Sequence, residues 1–337
     1  MEASSDPRLL VKIGKLYFEE SLTQQEIADN LCISRSTVSR LLARARNEHL
    51  VQISVKVPPG IYPELERTLE RRFGLVEAIV AEAPDYDSPS TVYRELGRAA
   101  AGYLHRTVQT GDVIGFAWGQ TMKEMVNDTP RRTIPDVTVV QLNGGLTPQM
   151  TDLHATALTR ELAARLGADC FILQAPGVVD SPETQQILMA DAQVREVFDL
   201  ASRANIAFVG IGAVSADALW GRAGLLTEKV TAELCSLGAV GDIMSRYFDS
   251  EGVLVNSSLC RRVVGLPIPQ LLRIRRRVGV AGGRDKFDAI LGALRGSYVN
   301  VLITDHVTAT ELAERPKIGP RGVGQERKEV RIQETSR

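Results

Sequence analysis

Residues 21–51 read SLTQQEIADNLCISRSTVSRLLARARNEHLV. Thr23 and Glu26 have the T-x-x-E spacing of a capping box, so a helix can begin at Gln24 with its first amides satisfied. Ser34 offers the cap of a second helix. Ile27, Leu31, Ile33, Val38 and Leu41 fall where two short helices crossing steeply bury side chains against each other, with the small Ala28 at the crossing. The pattern predicts a helix-turn-helix. Its turn residue, Cys32, should need a positive φ, a conformation glycine adopts freely and a side chain adopts at a cost of roughly 1 kcal/mol.

The second helix opens Arg35-Ser36-Thr37 and continues through Arg40, Arg44 and Arg46, with no acidic residue between Asp29 and Glu48. In such motifs the first turn of the second helix reads base edges, while later residues and the first helix meet phosphates. Arg35, Ser36, Thr37, Arg40 and Arg44 are therefore the expected contacts to double-stranded DNA. Arg35 suits guanine O6 and N7, whereas Ser36 and Thr37 fit either a base edge or a phosphate. Residues 1–57 carry eight Lys or Arg against seven Asp or Glu, so the basic signal belongs to one helix and argues against indiscriminate coating of DNA.

Outward from this motif, Leu9, Ile13, Leu16 and Tyr17 share one helical face within residues 9–20, enough for a supporting third helix. Residues 50–57 alternate in a strand period and end at Pro58-Pro59-Gly60, which predicts either the wing of a winged helix or a plain linking strand. Residues 63–74 place Leu65, Leu69 and Phe73 on one face and stop at Gly74, a short amphipathic helix expected within a linker over 58–76.

From residue 77 short β-branched runs alternate with helical stretches, so residues 77–316 read as a larger α/β domain. Expected strands are 77–81, 112–116, 137–142, 170–174, 206–209, 278–281 and 299–303. Several are continuous apolar runs, as parallel strands covered on both faces should be. Helices are expected over 90–106, 152–166, 191–203 and 286–294. Residues 317–337 are polar and charged, the composition of a disordered tail.

At 337 residues, 44% hydrophobic and 24% charged, with net charge −1, the chain has an ordinary globular composition and the length of two domains. No apolar run suggests a signal peptide or membrane anchor, which predicts a cytoplasmic protein. Cys32, Cys170, Cys235 and Cys260 lack C-x-x-C spacing and do not cluster with His49, His105, His154 or His306. Reduced, mostly buried thiols are expected, with no structural metal, disulfide or cofactor.

Ligands of open parallel sheets collect beyond the carboxyl ends of the strands. Four such junctions are rich in small and polar residues: Trp118-Gly119-Gln120-Thr121, Asn143-Gly144-Gly145, Gly210-Ile211-Gly212 and Gly282-Gly283-Arg284-Asp285-Lys286. Glycines let amides approach an anion, a helix dipole favours it and a cation adds charge, so together they suit a phosphorylated small molecule. The last junction is the best supplied with charge. Asp249, Glu251 and Asp305 are weaker candidates for sugar hydroxyls, and His154 reads as a surface residue. No His pairs with a carboxylate at these junctions, which argues against an isomerase or deaminase.

The motifs LTQQEIADNLCISRSTVSRLLARAR, FAWGQTM, VVQLNGG, FVGIGAV, YFDSEG, VAGGRDKFDAILGAL and VNVLITD together resemble the SorC family of bacterial sugar-responsive transcriptional regulators. The resemblance spans nearly all of the chain up to the tail. It implies an effector domain similar in fold to sugar-phosphate isomerases, binding a phosphorylated sugar or polyol without turning it over. It also implies a homodimer or homotetramer on operator DNA. On this sequence the implied effector contacts are Gly119, Gln120, Thr121, Gly282, Gly283 and Lys286; Asn143 and Gly144 join them from the VVQLNGG junction. Cys32 and His49 depart from the family pattern, which usually has glycine in the turn at the first and often has glycine before the wing at the second.

Overall fold

The computed structural model describes residues 6–145, 155–214 and 227–315, and divides into two compact units that meet in the chain at Pro58 and Pro59. The first unit is a bundle of α1 (Pro7–Phe18), α2 (Gln24–Leu31) and α3 (Arg35–Asn47). Leu10 and Ile13, Ile27 and Ala28, and Val38, Leu41, Leu42 and Ala45 form one closed apolar core. On α1 the deepest face runs through Leu10, Ile13 and Gly14, while Leu9, Leu16 and Tyr17 sit at its margin. A Cβ at Gly14 would stand 3.2 Å from Val51 Cγ2, so the missing side chain lets the chain after α3 return close to α1.

The capping box is complete: Thr23 N donates to Glu26 Oε2 at 2.8 Å and Glu26 N to Thr23 Oγ1 at 3.3 Å. Cys32 has φ 50° and ψ 43°, the left-handed conformation its position predicted. The amide of Ile33 then closes on Ala28 O at 3.0 Å, so the turn satisfies a carbonyl that α2 leaves unpaired. His49 repeats the arrangement after α3, with φ 57° and Leu50 N donating to Ala45 O.

The strand expected over 50–57 does not form, as a wing or as a linking strand. Ile53 and Val55 are 63% and 83% exposed, and no strand is assigned between residues 51 and 60. An alternating pattern fixes which side chains share a face, but a strand also needs a neighbouring backbone to hydrogen-bond. None of the described residues supplies one.

The second unit begins with α4 (Pro63–Phe73), β1 (Glu77–Ala81), α5 (Pro89–Thr107), β2 (Val113–Phe116), α6 (Gln120–Asp128) and β3 (Thr138–Gln141). It continues with α7 (Ala155–Leu166), β4 (Asp169–Phe171), α8 (Pro182–Ala190), α9 (Ala192–Ala201), β5 (Ile206–Ala213) and α10 (Glu228–Ser236). The hairpin β6 (Ala239–Ile243) and β7 (Arg246–Asp249) follows, then α11 (Ile268–Leu271), β8 (Arg276–Val280), α12 (Phe287–Arg295), β9 (Val301–Asp305) and α13 (His306–Glu314).

Seven strands form a parallel sheet in the order β1-β9-β8-β5-β2-β3-β4, and the hairpin adds antiparallel to the far half of β5. Alternate residues enter two cores: Ile206 and Phe208 of β5 face one, Ala207 and Val209 the other. This two-sided burial explains why the strands read as unbroken apolar runs. The 170–174 strand is shorter and earlier than expected, because β4 is an edge strand with all three residues exposed. Cys170 lies there, and Cys32 and Cys235 are also exposed, with only Cys260 half-buried, so the expectation of mostly buried thiols is corrected; all four are free.

The helix expected in the linker is instead an integral layer of the second unit. Leu69 is fully buried, and Glu70 and Glu66 accept the outward amides of Ala78 and Val80 at 3.1 and 3.0 Å. These carboxylates close the edge of the sheet that would otherwise offer bare amides. Burial raises the Glu66 carboxyl pKa, and Glu70 and Glu77 push the same way against the Val80 bond and Arg106. No helix among the described residues is long and apolar enough to cross a membrane. The expected tail at 317–337 and His154 lie outside the described residues.

Candidate functional site

Two regions carry the residues singled out from sequence, one in each unit. On α3 the apolar face of Val38, Leu41, Leu42 and Ala45 turns inward, leaving Arg35, Ser36, Ser39 and Arg40 on the exposed face. Arg35 and Arg40 have no carboxylate within ion-pair distance among the described residues. Ser34 caps the helix by accepting from Thr37 N at 3.1 Å, and its hydroxyl also lies 2.9 Å from Ser36 Oγ and 2.8 Å from Thr37 Oγ1. The two hydroxyls expected to meet DNA are thus oriented by the cap itself. Farther along, Arg44 pairs with Glu48 at 2.5 Å, and the Arg46 guanidinium lies over the Phe18 ring at 5.4 Å. The helix therefore presents two open arginines early and two tethered ones late.

In the second unit, β2 leads to β3 and β4 on one side, whereas its neighbour β5 leads to β8 and β9 on the other. Such a reversal of strand order is where open parallel sheets form a ligand crevice, here at the carboxyl ends of β2 and β5. Three of the expected junctions gather there; the fourth, Gly210-Ile211-Gly212, lies within β5, where Ile211 and Gly212 pair with β6, so it is strand and not a loop. Trp118 Nε1 donates to Gly144 O at 3.1 Å, joining the junctions after β2 and β3. Thr121 Oγ1, at the start of α6, donates to Val280 O at 3.3 Å, joining α6 to the end of β8.

Several of the glycines are there for packing. A Cβ at Gly144 would stand 2.5 Å from the Pro176 carbonyl carbon, and the Gly144 amide already donates to Val264 O at 3.0 Å. Gly282 would place a Cβ 2.2 Å from Asp305 Oδ2, and Gly283 N donates to that same oxygen at 2.8 Å. Asp305 is fully buried and also accepts from Thr308 N and Oγ1 at 2.8 and 2.7 Å. The glycine pair is thus wrapped around a buried carboxylate, which occupies an amide expected to face the ligand. Arg284 points away to Asp87, at 2.6 Å, and lies over the Tyr86 ring.

Other groups remain open. Gly119 has φ 154° and ψ 172°, begins α6 without a side-chain cap, and has nothing within 4 Å of where its Cβ would lie. The backbone conformation demands glycine there while the space in front stays clear. Gln120 is half-buried beside it, and the buried Asn143 Oδ1 has no hydrogen-bond partner among the described residues. Lys286, half-buried, has its ammonium pKa lowered by burial, against the opposing pull of Asp242 and Asp285. No carboxylate lies within ion-pair distance of it among the described residues.

Asp242 was not singled out from sequence. It sits buried on β6, accepts from Ser245 N at 3.0 Å, and fits because a Cβ at Gly212 would fall 1.8 Å from its Oδ1. A lone acid within the apolar run Ala239-Val240-Gly241-Asp242-Ile243 was the available signal. Asp249 and Glu251, by contrast, are structural: Asp249 Oδ1 accepts from Glu251 N and Val253 N, and Glu251 pairs with Arg295. The open groups at the crevice suit an anion bearing hydroxyls.

Comparison with known proteins agrees with this division. The family model "Putative sugar-binding domain" matches residues 62–314, and "Sigma-70, region 4" matches residues 15–48. The deoxyribonucleoside regulator of Bacillus subtilis (strain 168) is 35% identical over 307 residues, 90% of this chain and 97% of that protein. The sorbitol operon regulator of Klebsiella pneumoniae is 33% identical over 313 residues, covering 92% and 98%. The crystal structure of full-length SorC from the same organism superposes with a TM-score of 0.71 at 32% identity, over 91% of this chain and 99% of that one. With a helix-turn-helix in one unit, a parallel-sheet sugar-binding domain in the other and relatives matched along nearly their whole length, the chain belongs to the SorC family of sugar-binding, DNA-binding transcriptional regulators.

Proposed function

We propose that this cytoplasmic regulator controls operons of carbohydrate or polyol catabolism, and that a phosphorylated sugar-like effector sets its affinity for operator DNA. The observation that carries the effector class is Lys286: a half-buried cation, with no carboxylate at ion-pair distance among the described residues, in the turn after β8, whose last carbonyl is bonded by Thr121 at the open start of α6. A phosphate placed there would restore the lost solvation and meet the positive end of the helix dipole. Gln120, Asn143 and Asp242 then supply hydrogen bonds for hydroxyls. The relatives named for deoxyribonucleosides and for the sorbitol operon support a sugar or polyol as the rest of the ligand.

Arg35, Ser36, Thr37 and Arg40 contact operator bases and nearby phosphates in this reading, and Arg44 contacts phosphate. The active form is a homodimer or homotetramer, whose recognition helices match half-sites about 34 Å apart or a multiple of that. Effector binding shifts the balance between arrangements of these helices.

The test is a thermal-shift screen of the full chain against sugar phosphates, free sugars and polyols, repeated on Lys286→Ala. A ligand at about 100 times its Kd stabilises by about 2.7 kcal/mol, a readily measured shift. A phosphorylated compound should stabilise the wild type and leave the variant unmoved. A response confined to unphosphorylated compounds, or equal in both proteins, would overturn the effector class.

A further inference from the structure

A second cavity, of about 220 Å³, opens where β7 meets the segment that follows it. Arg246, Tyr247, Leu254, Val255, Cys260 and Arg261 line it, and none of these belongs to the crevice described above. Two features set it apart from an ordinary surface dimple. The Tyr247 side chain is fully buried, yet its hydroxyl has no hydrogen-bond partner among the described residues. Arg246 Nη1 is likewise buried and unpartnered, and no carboxylate lies within ion-pair distance of this guanidinium among the described residues.

A guanidinium cannot shed its proton to escape such a site, and a buried charge without a counter-ion is strongly unfavourable. Burial lowers its pKa, against the opposing influence of Cys260. Arg261, at the rim, is exposed and bonds Asn256 Oδ1 at 3.2 Å, adding positive charge at the mouth. The walls contributed by Leu254 and Val255 are apolar.

We infer that this cavity binds a small organic carboxylate. The flat fork of Arg246 matches the two oxygens of a carboxylate, and the Tyr247 hydroxyl can donate to the same group. The short apolar body of such an acid would lie against Leu254 and Val255, a surface that a fully hydrated inorganic phosphate would not favour. The regulator would then take two anions, the effector at the carboxyl edge of the sheet and a small acid at β7, with Asp242, opposite Tyr247 in the hairpin, acting on both Tyr247 and Lys286.

The probes are acetate, pyruvate and lactate, with methyl pyruvate as the neutral control and inorganic phosphate as the competing anion, titrated calorimetrically into the full chain. Wild type and Lys286→Ala should bind a carboxylate equally, Arg246→Met should lose binding, and Arg261→Gln should weaken it several-fold. Tyr247→Phe, which keeps the ring and its packing, should also weaken binding several-fold and serves where Arg246→Met does not fold. The inference is overturned if no carboxylate binds the wild type, or if methyl pyruvate or phosphate binds as well as pyruvate. It is equally overturned if Lys286→Ala abolishes binding, or if neither foldable pocket variant changes it. A protein indifferent to every acid whose pocket variants form smaller assemblies would place a second copy of the chain in the cavity instead.

Discussion

The two units handle positive charge in opposite ways. On α3, Arg35 and Arg40 are exposed with no carboxylate at ion-pair distance among the described residues, whereas in the second unit Lys286 is half-buried and its charged form is disfavoured by burial. A surface meant for phosphates on a long polyanion works by being reachable, and its strength depends on salt. A site meant for one small anion works by being dry, where each charge acts through a lower dielectric. The same contrast extends to the glycines. Those at Gly144 and Gly282 make room for neighbouring protein atoms, whereas Gly119 and Gly283 face clear space.

Substitutions can break or sharpen this contrast. The largest expected effect is at Gly144→Ala, where the new methyl would press on the Pro176 backbone: about 3 kcal/mol of stability should be lost, measured by urea unfolding. A loss under about 1 kcal/mol would mean that the junction is pliable and returns Gly144 to the set of ligand-approach residues. Next comes Arg35→Ala, expected to remove about 2 kcal/mol of discrimination between operator and random DNA at fixed salt, with the melting temperature unchanged. Arg44→Ala should weaken both DNAs alike, and only slightly, since Arg44 already pairs with Glu48. Equal losses on both DNAs for Arg35→Ala would remove the distinction between open and tethered arginines.

A smaller gain is expected from Cys32→Gly. Relief of the left-handed backbone should raise stability by roughly 0.5–1 kcal/mol in a thermal melt, and His49→Gly should behave the same way. The smallest effect concerns acid. Backbone and side-chain bonds from Thr23 hold the exposed Glu26 carboxyl below its ordinary pKa. Its contribution is therefore complete at neutral pH and is lost as the pH falls below about 4.3 and through the lowered value. Glu26→Gln should remove that part of the acid dependence, and an acid-unfolding profile unchanged by the substitution would show that the box does not stabilise α2.

The helix-turn-helix was legible because its signals are local: Thr23, Glu26 and Ser34 cap within three residues of the amides they serve. The parallel strands were legible because two-sided burial leaves continuous apolar runs. Residues 50–57 misled for the complementary reason, since alternation is local and a pairing partner is not. The crevice was legible only by position. Nothing near Gly282 or Gly283 announces that Asp305, more than twenty residues later, will occupy an amide there, and nothing near Lys286 announces Asp242. Which groups stay open at a site is decided by long-range contacts, and a single sequence does not display them.

Asp305 has one more neighbour of consequence. The next residue, His306, accepts from Ala83 N at 3.2 Å and stacks on Tyr62, with ring centroids 5.4 Å apart and planes 9° from parallel. Tyr62 stands at the start of α4, four residues after Pro58, where the chain arrives from the DNA-binding unit. The glycine turn beside Lys286 and the tether to the DNA-binding unit are thus more than two hundred residues apart along the chain. Through one carboxylate and one imidazole they are near neighbours, so two stretches remote in sequence are held by one short run of contacts inside the second unit.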